Sequence, residues 1–142
     1  MIPMPSNMIL LPALAQVLLT IVVYGALAVA KAKATKGGLV DIDRRALHGD
    51  AWPESVLKIN NNIRNQFEIP VLFYVLTILL WQLNETGVFT QSLAWLFVIS
   101  RFVHAYIHTG SNYVPVRRKV FMFGCVVVFA MAGIAVWAVL AS

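Results

Sequence analysis

The sequence predicts an all-α integral membrane protein, a four-helix bundle, and two observations carry that expectation. Hydrophobic residues make up 60% of the 142-residue chain against 12% charged, and the mean hydropathy is +0.78. That is more apolar surface than a soluble core of this length can hide. The apolar residues also gather into runs of about 20, the length that crosses about 30 Å of hydrocarbon at a rise of about 1.5 Å per residue.

The first run covers residues 8–30. It lacks a basic leading segment and exceeds the roughly 7–15 apolar residues of a secretory signal, so it is expected to be a retained span. The second, residues 63–83, follows the polar Asn60, Asn61 and Asn62 and contains Pro70. The third and fourth cover residues 92–108 and 120–140. Connections are left at 31–60, 84–87 and 110–115, and the whole of 1–142 reads as one four-span domain, with no internal repeat and no low-complexity tract.

A net charge of +5 raises the question of nucleic acid, but the distribution of the cations answers it. Lys31, Lys33, Lys36, Arg44, Arg45 and Lys58 lie between the first two runs, Arg64 begins the second, and Arg117, Arg118 and Lys119 lie between the third and fourth. The connection between the second and third carries only Glu85. This is the positive-inside pattern: both basic connections are expected to be cytoplasmic, both termini on the other side, and nucleic acid is no partner. Trp81 and Trp95, near the opposite ends of their spans, suit an interfacial belt, although packing explains them equally simply.

Ionisable residues inside a span cost at least about 2.5–3.5 kcal/mol each and normally face a partner, a cavity or a ligand. Asn61, Arg64, Asn65 and Glu68 are spaced i, i+3, i+4 and i+7, on one face of the second helix. Arg101, His104 and His108 are spaced i, i+3 and i+7 on the third. Both sets fall in the half of the membrane next to the basic connections. The simplest expectation is that Glu68 and Arg101 neutralise each other, with Pro70 freeing the carbonyl of Gln66 for another group. The remaining donors, with Arg117 and Arg118, then await an acceptor. Arg117 to Lys119 contact lipid phosphate on the simpler reading. Pro115 nevertheless opens the fourth helix there, where free backbone N–H groups favour an anion. Cys125 is alone and reads as a packing residue. His48 with Asp50, or His104 with His108 at i, i+4, falls short of a metal-ligand set, so no metal is expected.

The run Arg64-Asn65-Gln66-Phe67-Glu68-Ile69-Pro70, followed by Arg101-x-x-His104-x-x-x-His108-x-Gly110-x-x-x-x-Pro115-x-Arg117, resembles the MAPEG family, the membrane-associated proteins in eicosanoid and glutathione metabolism. The prostaglandin E synthase branch is the nearest in motif. The resemblance covers all four spans. It implies a homotrimer binding glutathione between neighbouring subunits near the cytoplasmic surface, with a hydrophobic small molecule or lipid as co-substrate. By carry-over Asn65 and Glu68 hold the peptide, Arg101 braces Glu68, and Arg117 stabilises the thiolate, with Arg118 as its stand-in. Asn61, Arg64, His104, His108 and Tyr113 complete the expected glutathione contacts.

Two positions depart from the glutathione-using members: Asn61 stands where they carry arginine, and His108 where they carry tyrosine. Each departure removes an expected glutathione contact; the expectation from the resemblance is still a glutathione-dependent transferase or peroxidase. A non-catalytic lipid binder of the same fold is the alternative, since fold does not fix activity. A small multidrug-type exporter is a further one, although such exporters carry a glutamate in the first span, where this chain has only Gln16, Thr20 and Tyr24.

Overall fold

A computed structural model describes residues 6–142. Among them the regular elements are all helical: a 3-10 turn at Ser6–Ile9 leads into α1 (Leu10–Lys36), and α2 (Glu54–Gln66), α3 (Ile69–Gln82), α4 (Val88–Thr109) and α5 (Val114–Ala141) follow. Four helical segments are long and apolar enough to cross a membrane, Ser6–Lys36, Glu54–Gln82, Val88–Thr109 and Val114–Ala141.

The second of these is two helices. Proline 70 has no N–H to offer the carbonyl of Gln66 and its ring crowds the preceding turn, so α2 stops at Gln66 and α3 restarts with the proline in its first turn. At 14 residues, α3 alone spans only about 21 Å. The last turns of α2 therefore supply the rest of the crossing and bring their amides into the hydrocarbon layer. The other helices run past the apolar stretches: α1 continues six residues beyond Ala30, and α5 starts at Val114, so Arg117, Arg118 and Lys119 lie within its opening turns. Pro115 suits that start because its missing N–H falls among groups with no helical partner.

Packing divides into two clusters. Phe73, Leu80, Phe97, Val127 and Met131 join α3, α4 and α5 in the half away from the basic connections, with the rings of Phe73 and Phe97 stacked at 4.4 Å. Leu19, Val23, Leu27, Val56, Ile63 and Ala105 join α1, α2 and α4 in the other half. Gly124 lets α5 approach α4: a Cβ there would sit 3.1 Å from the Ser100 hydroxyl and 3.7 Å from the Phe97 ring. Small residues at such crossings are the usual device where no hydrophobic force drives helices together. At the far end the Trp81 indole donates to Asn7 Oδ1 at 3.1 Å.

Candidate functional site

The polar residues of α2 split into two stripes. Asn62 and Gln66 point inward and are buried, whereas Asn61, Arg64 and Glu68 are exposed on the outer side and Asn65 lies between. The inner stripe builds a chain of hydrogen bonds through the bundle. Gln16 Nε2 donates to Gln66 Oε1 at 2.8 Å, Gln66 Nε2 donates to Asn62 Oδ1 at 3.0 Å, and Asn62 Nδ2 approaches His108 Nδ1 at 3.3 Å. Asn65 Nδ2 reaches the same nitrogen at 3.2 Å. An amide N–H only donates, so Nδ1 accepts and the ring proton belongs on Nε2. The lone pair that would make His108 a base is thus already engaged.

Arg101 is 1% exposed. Its Nη2 donates to the backbone carbonyl of Asn65 at 3.3 Å and the guanidinium lies over the Phe121 ring at 5.6 Å. The expected ion pair with Glu68 does not form: among the described residues no cationic side chain stands at ion-pairing distance from Glu68. The reason is local, because the helix break beside Pro70 leaves Glu68 on the outer side while Arg101 points inward. His104 packs against Phe121 at 5.8 Å and edge-on to His108 at 5.5 Å. The Nε of Arg101 and Nδ1 of His104 are buried without a hydrogen-bond partner among the described residues.

At the mouth of the bundle Arg117 is half-buried and donates to Asn112 Oδ1. Asn112 adopts φ +53°, the left-handed conformation that asparagine tolerates better than most residues, and so closes the α4–α5 turn with its amide facing Arg117. Arg118 and Tyr113 are exposed.

The structure therefore gathers Arg101, His104 and His108 inside the protomer, sets Asn61, Arg64, Glu68 and Tyr113 on its surface, and leaves Asn65 and Arg117 at the boundary. Asn62, Phe121, Asn112 and the side-chain amides of Gln66 and Gln16 are partners to which the motifs assign no role. Gln16 was open to detection as an isolated amide in an apolar span. Among the described residues no group of three His, Cys, Asp or Glu is placed to hold a metal. Cys125 is a free, half-buried thiol.

A family model described as the MAPEG family matches residues 9–137. Searches of curated proteins and of solved structures give no match.

Proposed function

The chain belongs to the MAPEG family, the membrane proteins of glutathione and eicosanoid metabolism, and from that premise we propose that it is a glutathione-dependent transferase or peroxidase for lipophilic electrophiles, working as a homotrimer. The observation that carries this reading is the outer stripe of α2. Arg64 and Glu68 lie in the part of the second span that must cross hydrocarbon, yet both are exposed and neither has an ion-pair partner among the described residues. Two opposite charges cannot face lipid there at tolerable cost. A neighbouring subunit and a zwitterionic peptide with its own carboxylates and ammonium satisfy them together.

Asn65 and Glu68 then hold the peptide, and Arg101 acts as a positioning residue, fixing the end of α2 through the Asn65 carbonyl. Arg117 faces the sulfur. A thiol of pKa about 8.5 is only a few per cent ionised at neutral pH, and lowering it by two units requires about 2.7 kcal/mol of preferential stabilisation of the anion. A guanidinium held by Asn112 beside a helix N-terminus is suited to that task. Arginine does not take the proton, and His108 Nδ1 is occupied, so the proton leaves to water. The thiolate then attacks the electrophilic carbon and forms the C–S bond as the leaving group departs with its electron pair.

Calorimetry of the detergent-purified protein tests the reading. Glutathione is expected to bind, and its S-methyl analogue to bind more weakly and without proton release. Absence of binding by both rejects it. The lipid-binding alternative draws on one feature of its own, an apolar groove between α3 and α5 of about 290 Å³, with Cys125, Val128 and Phe129 on its α5 side.

A further inference from the structure

Between the end of α1, the start of α2 and the segment that joins them lies a cavity of about 190 Å³ whose lining includes Lys31, Arg45, His48, Trp52 and Asn60. It belongs to neither the α2 stripe nor the Arg117 corner. No carboxylate lines it, and three acids of the surrounding segments are engaged elsewhere: Asp41 and Asp50 with Arg44 at 3.8 and 2.8 Å, and Glu54 with Lys58 at 3.2 Å. The Arg44 guanidinium holds the Asp50 carboxyl below its ordinary range, chiefly through their hydrogen bond, so this acid stays with its partner. The cavity wall is itself ordered. Lys31 Nζ lies over the Trp52 ring at 5.0 Å and the Trp52 indole donates to the Arg45 carbonyl at 3.2 Å. Two permanently cationic residues and a histidine thus line one small space.

Its depth says what enters. Lys31 follows immediately on the apolar run of α1, and Asn60 precedes by one turn the Ile63 at which the second apolar run begins, so the cavity stands within about 5 Å of the hydrocarbon boundary, in the headgroup layer. Leu47, a lining residue, is 91% exposed, and Leu39 and Ile42 of the same segment are also exposed. Apolar side chains set among cations are the pattern of a segment that lies in a membrane interface. The volume is below the roughly 300–1,000 Å³ of cofactor clefts and suits a phosphate-bearing headgroup better than a tripeptide.

We infer that this cavity binds the phosphodiester of an anionic phospholipid, held by Lys31 and Arg45, with Leu47 inserted among the acyl chains beside it. The site is independent of the glutathione reading and of the oligomeric state.

The test measures association of spin-labelled phosphatidylglycerol and phosphatidylcholine with the full chain reconstituted in mixed vesicles. Wild type is expected to prefer phosphatidylglycerol several-fold. Lys31→Gln with Arg45→Gln is expected to lower that preference at least threefold, while Lys33→Gln with Lys36→Gln, an equal loss of charge away from the cavity, leaves it nearly unchanged. Equal losses in the two pairs reduce the effect to general surface charge and overturn the site. Leu47→Asn is expected to weaken phosphatidylglycerol retention and leaves the cations in place as a check on folding. If inorganic phosphate at 10-fold excess over the labelled lipid abolishes the preference and Leu47→Asn has no effect, the ligand is a soluble anion and the lipid assignment fails.

Discussion

Arg117 is half-buried and its guanidinium is held by Asn112, whereas Arg118, one position on, is exposed and reaches no acceptor among the described residues. If the thiolate sits at this corner, the two arginines separate kinetically. Arg117→Ala is expected to lower conjugation of glutathione to chlorodinitrobenzene at least about tenfold, equivalent to about 1.4 kcal/mol, and to diminish the ultraviolet thiolate signal. Arg118→Ala should do much less. Equal rates for wild type and Arg117→Ala remove the role, and the reverse ranking moves it to Arg118. The inner amides make a second expectation at this scale. Gln66→Leu strands the Gln16 amide and Asn62 Oδ1, and should destabilise by about 1–2 kcal/mol. Gln16→Leu with Gln66→Leu removes both ends of one bond and should cost less than the two single changes added together. An additive result in reversible unfolding denies the network. In the sequence the stretch from Asn60 to Glu68 carries polar groups on every face, so helical periodicity finds the outer stripe and equally an inner one. Only the depth of Gln16 and His108 on neighbouring helices decides which stripe is buried.

The interruption at Phe67 and Glu68 shows how one missing N–H acts on a whole element. Pro70 was readable as a perturbation of the second span, but a bend and a restart are alternatives that depend on what covers the freed carbonyls. The restart is what keeps Glu68 from meeting Arg101, although depth alone matched them. The crossing of α4 and α5 was less legible, because Gly124 looks no different in sequence from Gly133. In the structure a Cβ at 124 meets Ser100 and Phe97, while one at 133 meets nothing within 4 Å. Gly124→Val should therefore force α4 and α5 apart and cost about 1–3 kcal/mol, whereas Gly133→Val should stay within about 0.5 kcal/mol of wild type. Thermal unfolding of the two variants in one detergent distinguishes them. Equal midpoints mean that the close approach at 124 has no energetic weight.

On the scale of the whole molecule the apolar pattern located all four spans, since a bilayer imposes length and composition directly, and the family emerged from two motifs on different helices. What covers the outer α2 stripe was not legible, because motif and periodicity mark the polar face and not what packs against it. Asn61, Arg64 and Glu68 remain exposed after α1, α3, α4 and α5 have all packed. In the proposed homotrimer a three-fold axis would set the same stripe against another face of an identical subunit, and closure would leave no copy unsatisfied. Native mass spectrometry from mild detergent is expected to give the mass of three 15.7 kDa chains. Arg64→Leu with Glu68→Leu should still insert, since both changes favour hydrocarbon, but should lose glutathione binding together with the polar lining of the interface. A wild-type monomer leaves the charges facing lipid and removes the intersubunit site. An antiparallel dimer removes it too and revives the exporter reading, for which proton-coupled flux in vesicles is then the measurement to make.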